Sequence, residues 1–227
     1  MNTAIIVAAG SGKRFESDTP KQFVELLGKP IVFHTIERFD KCDLIDEIVV
    51  VLPADRIDWF ETEFQKYPFT KSIRSVAGGR ARVESVRNGF RAVAPESELV
   101  AVHDAARPLV TIAEISRTIE GARETGAACL TVPVTDTIKE IKGKRIKRTI
   151  DRTSLRRAVT PQVFRYEILQ KALAGPELDE SVTDESFLVE RIGGEIAFID
   201  GSGRNVKITV PDDLIIAEAL LRVEGLH

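Results

Sequence analysis

Ile5-Ile6-Val7-Ala8-Ala9-Gly10-Ser11-Gly12-Lys13-Arg14, with Pro20-Lys21-Gln22 close behind, is an apolar run that ends in small residues, two glycines and then cations. The apolar part reads as a buried parallel strand. The glycines let the backbone turn tightly and bring its N–H groups close to a ligand. Lys13, Arg14 and Lys21 add positive charge where those groups point, so this strand end is a site for phosphate. It is neither of two familiar phosphate loops. A Walker A loop needs glycine where Val7 stands and a hydroxyl residue where Arg14 stands, and the dinucleotide fingerprint needs a third glycine where Phe15 stands. An ordinary strand-to-helix turn with solvated Lys and Arg is the plainer alternative.

The pattern continues outward from this stretch. Pro30 opens a helical pattern through Ile31, His34, Thr35 and Arg38. Glu47–Leu52 reads as a second buried strand and 54–66 as a helix with Ile57, Phe60 and Phe64 on one face. Ser72–Ala77 is a strand running into Gly78-Gly79, and 82–93 is a helix. Leu99–Val102 is a strand that stops at His103-Asp104-Ala105-Ala106-Arg107-Pro108. Thr111 and Glu114 form a capping box, and 127–132 is a strand. Strands alternating with helices predict an α/β fold, a Rossmann-like, mostly parallel sheet with helices on both faces. Ligands of such sheets sit beyond the carboxyl ends of the strands. Gly10–Arg14, Gly78–Arg82 and His103–Arg107 are then three chemically loaded loops on one rim.

The alternation breaks at 136–150, DTIKEIKGKRIKRTI, which reads as a β-hairpin turning at Lys142-Gly143-Lys144. Its lysines and arginines suit a solvated edge guarded against aggregation. They also suit an arm reaching a second subunit, the reading preferred here because a lone hairpin is hardly stable in water. Beyond Thr160-Pro161-Gln162 we expect a helix over 165–173, another starting near Thr183-Asp184-Glu185, strands at 196–200 and 205–210, and a last helix from Pro211. Lys207 in the final apolar strand calls for an anion or for solvent at its tip.

With 227 residues, 43% hydrophobic and 30% charged, the chain suits one domain (1–227) with residues 136–154 as an arm. A net charge of −3 gives no footing for nucleic acid or a membrane surface. No apolar run is long enough to cross a bilayer, and a strand so near the start leaves no room for a signal peptide. Cys42 and Cys129 stand alone, which points to the reducing cytoplasm and away from structural zinc.

Taken together, these stretches resemble one family. Ala8–Arg14 with Pro20-Lys21-Gln22 is similar to the signature loop of sugar-phosphate nucleotidyltransferases. Val102–Pro108 narrows the resemblance to the 2-C-methyl-D-erythritol 4-phosphate cytidylyltransferases of non-mevalonate isoprenoid biosynthesis. Gly78-Gly79, Arg82, Ser85-Val86, Asp136-Thr137, Asp151-Arg152, Thr160-Pro161-Gln162, Thr183-Asp184-Glu185 and Asn205-Val206-Lys207 follow in the family's order. One departure is Arg80, where some members carry Asp.

The resemblance implies a nucleotide-diphospho-sugar transferase type of fold and a reaction between CTP and an alditol phosphate, releasing pyrophosphate. Two anions must be brought together against roughly 4 kcal/mol of repulsion at an effective dielectric near 20. By this resemblance Arg14, Lys21 and Lys207 are catalytic cations. The nucleotide meets Ala8, Ala9, Gly10, Ser11, Gly12, Gly79, Ser85, Asp104 and Ala105. The alditol phosphate meets Arg107, Thr137, Thr160, Thr183 and Arg152, the last brought by the arm of a second subunit in a homodimer and also catalytic. Mg2+ is the expected cofactor, with Asp104 near it or near the ribose. His103 has no hydroxyl to deprotonate and is read as structural. Two other functions remain open: cytidylyl transfer to another alditol phosphate such as ribitol 5-phosphate, and a nucleotide-binding regulatory module without turnover.

Overall fold

The opening apolar run is strand β1 (Asn2–Val7), buried along its length because Ile5, Ile6 and Ala4 meet helices on both faces of the sheet. A computed structural model of the chain describes residues 1–10, 15, 19–175, 182–223 and 225; Ser11, Gly12, Lys13 and Arg14 lie outside the described residues. After β1 come the short pair β2 (Glu25–Leu26) and β3 (Lys29–Pro30), α1 (Ile31–Asp40), β4 (Glu47–Leu52), α2 (Ile57–Phe64), β5 (Ser72–Ala77) and α3 (Arg82–Arg91). Then follow β6 (Leu99–Asp104), α4 (Ile112–Thr125), β7 (Ala127–Pro133), β8 (Ile138–Lys142), β9 (Arg145–Ile150) and β10 (Arg156–Arg165). The chain continues through α5 (Tyr166–Leu173), α6 (Glu185–Arg191), β11 (Ala197–Asp200) and α7 (Pro211–Val223).

Seven strands form the main sheet in the order β11-β7-β10-β6-β1-β4-β5. All neighbours are parallel except β10, which runs antiparallel to both β6 and β7. The chain builds β1, β4 and β5 in one direction and then returns to place β6 on the other side of β1. That reversal opens a crevice between the carboxyl ends of β1 and β6, the place where open α/β sheets bind ligands.

Side chains alternate between two cores. Ala4, Ile6, Ile48 and Val50 pack with Phe33, Ile36, Phe60, Ile115 and Ile119 on one face. Ile5, Val49 and Val51 pack with Val83, Val86, Phe90 and Leu169 on the other. Gly89 sets the depth of α3 on that second face: a Cβ there would lie 2.7 Å from both Ile5 and Val51, so only glycine lets the helix sit so close. The Thr111–Glu114 capping box is present at the start of α4.

One expectation fails, and one strand is present that the sequence does not predict. Residues 205–210 form no strand; the segment is held to the sheet end by the Ile208 N–H donating to Ala106 O (2.8 Å) and by Ile208 itself, buried under α7. The residues around Thr160-Pro161-Gln162, for which the sequence predicts no strand, form β10 in the middle of the sheet, with a shift of register between Ala158 and Gln162 and a cis Thr160–Pro161 bond. The hairpin is present as a separate two-stranded sheet of β8 and β9.

Candidate active site

At the β1/β6 crevice the two strand ends are tied together. The Ala105 N–H donates to Val7 O (3.0 Å), the Ala8 N–H to Val51 O (2.8 Å) and the Gly78 N–H to Leu52 O (2.7 Å). The described parts of the three loops foreseen on one rim, Gly10, Gly79–Arg82 and Asp104–Ala106, converge around a cleft of about 560 Å³. Val7, Ala8, Ala9 and Gly10 form one wall. Gly79, Arg80, Ala81, Arg82 and Ser85 form another, and Asp104, Ala105, Lys207 and Lys21 complete it.

Each wall is braced by its own side chains. Gln22, in the 3-10 turn Lys21–Phe23, donates through Nε2 to Ala8 O (2.5 Å) and Gly10 O (2.9 Å), which fixes that turn beside the end of β1. Ser85 Oγ accepts from the Gly79 N–H (3.1 Å) and donates to Ala81 O (3.0 Å). Glu84 Oε2 accepts from the Arg80 N–H (2.8 Å), and a Cβ on Gly79 would fall 2.4 Å from Glu84 Cβ. Glycine at 79 is what allows this fold-back, and it leaves bare backbone facing the cleft.

Asp104 is the charge centre. Its Oδ2 accepts from Lys207 Nζ (2.8 Å) and Arg107 Nε (3.4 Å), and its Oδ1 from Arg82 Nη2 (3.3 Å). Burial alone would push this carboxyl upward; Arg82, Lys207 and Arg107 outweigh it and hold Asp104 well below the usual carboxylate range. The Asp104 N–H donates to Thr160 Oγ1 (3.1 Å). Arg107 also donates to Asn205 O (2.9 Å), and Asn205 Nδ2 to Thr160 O (2.9 Å), so β6, β10 and the 205–210 segment are locked at one point. Arg82 then reaches past Asp104 to Glu185 at the start of α6 (2.5 and 3.0 Å).

His103 lies fully buried with its ring 4.9 Å from that of Phe39. Its Nε2 donates to Arg107 O (3.2 Å), and burial lowers its pKa to about 3. It is a neutral anchor for the strand end, as read from the sequence.

A family model described as 2-C-methyl-D-erythritol 4-phosphate cytidylyltransferase (IspD) matches residues 2–223. The chain belongs to that family. It is 43% identical over 224 residues to the 2-C-methyl-D-erythritol 4-phosphate cytidylyltransferase of Syntrophus aciditrophicus, covering 97% of this chain and 96% of the relative. It is 42% identical over 226 residues to that of Bacillus licheniformis, covering 99% and 97%. Among solved structures, it resembles the 4-diphosphocytidyl-2C-methyl-D-erythritol synthase of Anaerococcus prevotii with a TM-score of 0.86 and 31% identity, covering 97% of this chain and 96% of that one. The Thermus thermophilus cytidylyltransferase gives a TM-score of 0.79 at 30% identity, covering 98% and 100%.

Set against this cytidylyltransferase family, the expected site residues fall into three groups. Ala8, Ala9, Gly10, Lys21, Gly79, Ser85, Asp104, Ala105 and Lys207 line the one cleft, and Arg107 and Thr160 bond directly to Asp104 behind it. Thr137, Arg152 and Thr183 are exposed and do not line it; Arg152 instead donates to Thr135 O at the base of the hairpin. Arg14, Ser11 and Gly12 lie outside the described residues. Sequence reasoning passed over Gln22, Arg82 and Glu185 as site residues. All three sit in quoted motifs, but nothing in the sequence joins Arg82 to a carboxylate 103 residues away.

Asp104, the one carboxylate among the described residues of the lining, fits Mg2+, which takes one or two protein carboxylates and fills its octahedron with substrate phosphates and water. Among the described residues no group of three or more His, Cys, Asp or Glu is arranged to hold a metal. No described helix is long and apolar enough to cross a membrane.

Proposed function

We propose that this chain transfers the cytidylyl group of CTP to 2-C-methyl-D-erythritol 4-phosphate in non-mevalonate isoprenoid biosynthesis, in the cleft between β1 and β6. The observation that carries the site assignment is that Lys21, Arg80, Arg82 and Lys207 share one cleft lining with Asp104, the single carboxylate among its described residues. A phosphate oxygen of the alditol phosphate forms the new bond to the α-phosphorus of CTP. The bond from that phosphorus to the bridging oxygen breaks, and pyrophosphate leaves with the electron pair. The attacking group is already an anion, so no general base is required. The work lies in alignment and in charge stabilisation.

In this reading the cytosine lies against Ala8, Ala9, Gly79 and Ser85, where bare backbone donors and acceptors distinguish an amine from a carbonyl. Gly10, Ser11, Gly12, Arg14 and Lys21 take the triphosphate. Lys207 leaves Asp104 for the α-phosphate, and Ala105 and Asp104 face the ribose side. Asp104 is also the residue that would hold Mg2+; when bound, the ion neutralises phosphate charge on the leaving side. Arg107 and Thr160 steady Asp104 from behind and border the alditol phosphate, with Thr183 and Thr137 farther out.

The 136–154 arm joins two copies of one domain in this reading and carries Arg152 into the partner's cleft. Its support is the apolar face of a two-stranded sheet: Ile141 and Ile146 are cross-strand partners and are 68% and 66% exposed. A lone hairpin of this kind needs cover to be stable. Buried, unpaired Cys42 and Cys129 suit a cytoplasmic setting.

The test is pyrophosphate release from CTP, UTP and ATP with methylerythritol phosphate and ribitol 5-phosphate, with and without Mg2+. We expect turnover only with CTP, methylerythritol phosphate and Mg2+. Turnover with ribitol 5-phosphate alone would move the assignment to that acceptor, and CTP binding without pyrophosphate release would reject catalysis.

A further inference from the structure

Glu185 is a fully buried carboxylate that does not line the cleft, so the chemistry proposed above gives it no task. Arg82 is the cation that reaches it among the described residues, gripping both oxygens at 2.5 and 3.0 Å. The same guanidinium holds Asp104 Oδ1 with Nε at 3.4 Å and Nη2 at 3.3 Å. Glu185 is itself held firmly. It opens α6, whose Asp184 caps Phe187 N (3.0 Å) and accepts from Gln162 Nε2 (2.9 Å), while Gln162 Oε1 accepts from the Ser186 N–H (2.9 Å). Gln162 lies in β10, paired with Val102 of β6, so the anchor is built on the strand next to the one that carries Asp104.

This geometry has a consequence for charge. Among the described residues Asp104 meets three cations: Lys207 and Arg107 share Oδ2, and Arg82 takes Oδ1. Lys207 can therefore leave for a phosphate without stranding a buried carboxylate, provided Arg82 stays where it is. Without a counter-charge behind it, Arg82 would be drawn off Asp104 towards the triphosphate, and Asp104 would hold on to Lys207 instead. We infer that Glu185 is a positioning residue for cytidylyl transfer: its carboxylate pins Arg82 on Asp104 so that Lys207 is free to exchange between Asp104 and the nucleotide.

The alternative is that Glu185 merely fills space and anchors α6, and charge and shape separate the two. Glu185→Gln keeps the shape and loses the charge; Glu185→Asp keeps the charge and shortens the side chain. The positioning role predicts kcat in the order wild type, E185D, E185Q, with E185Q down roughly ten- to hundredfold. It also predicts that KM for CTP in E185Q is unchanged or lower, because the cleft has gained a net positive charge. A structural role predicts the reverse order, with E185D the worse variant and KM for CTP raised in both. If E185Q does not fold, the double variant Arg82→Met with Glu185→Leu removes the pair without leaving a lone charge, a change that buried pairs often tolerate. Folded protein with kcat lowered at least tenfold supports the proposal; wild-type kcat overturns it. The inference rests on the cytidylyl-transfer reading, whose own failure would appear as absent turnover in the wild type. In that event calorimetric CTP binding decides: tighter and more salt-sensitive binding by E185Q than by E185D upholds the coupling, and equal binding by the two refutes it.

Discussion

The Lys207 ammonium is held 2.8 Å from Asp104 Oδ2, across 103 residues of sequence and between a strand end and an irregular segment. This pair places a cation at the mouth of the β1/β6 crevice, ready to trade one anion for another. With Asp104 replaced by Asn, Arg82, Arg107 and Lys207 repel one another around a neutral amide. The loss of about 3 kcal/mol expected for breaking such a pair corresponds to roughly 6–12 °C in melting temperature. CTP then supplies the missing negative charge, so the rise in melting temperature on adding CTP should be larger for Asp104→Asn than for the wild type. Thermal melts with and without CTP check this.

Lys21 shares the cleft lining with Ala8, Ala9 and Gly10 because the neighbouring Gln22 clamps the Ala8 and Gly10 carbonyls. Lys21→Ala is expected to lower kcat by about 10²–10³, the cost of losing one donor to charge that develops in the transition state. Steady-state kinetics with CTP varied check this; a change confined to KM would assign Lys21 to ground-state binding.

His103 gives the fold a pH dependence that the chemistry does not share. Burial lowers its pKa to about 3, below the value near 6.5 of an unfolded histidine. The unfolded chain therefore takes up the proton first, and stability is full above about pH 6.5 and falls as pH drops from there towards 3. His103→Gln keeps a donor for Arg107 O and removes the titration. Denaturant unfolding between pH 4 and 7 should show a shallower loss in this variant, while the pH profile of kcat near neutrality stays the same.

The arm makes a prediction about shared sites. Arg152→Ala and Lys21→Ala proteins, each inactive, should recover partial activity when mixed and allowed to exchange subunits, because one composite cleft then carries both side chains. Ile141→Glu or Ile146→Glu should shift the sedimentation profile towards a single copy. Absence of recovery in exchanged mixtures would confine Arg152 to its own chain.

Much of this architecture was legible in the sequence, and the misses have physical causes. The β1 and β6 strands announce themselves because parallel strands buried on both faces read as unbroken apolar runs. Glycine and capping chemistry then mark where each stops. β10 was missed because Arg156-Arg157 and Pro161 interrupt its apolar pattern, and proline gives no N–H to a ladder. Residues 205–210 look like a strand because Val206, Ile208 and Val210 alternate with polar residues. Ile208 is indeed buried, but against α7 rather than in a ladder. The Arg82–Asp104–Glu185 chain left no local sign, since a buried ion pair is a property of three elements meeting, and Glu185 alone resembles any first-turn acid of a helix.

The central claim is that Lys21 and Lys207 act on one triphosphate in one cleft. A crystal structure of the chain with CTP tests it most directly. The account predicts the α-phosphate within hydrogen-bond distance of Lys207 Nζ, Lys21 on the same triphosphate, and Asp104 still held by Arg82. CTP bound elsewhere, or Lys207 still paired with Asp104 while Lys21 points away from the phosphates, would contradict it.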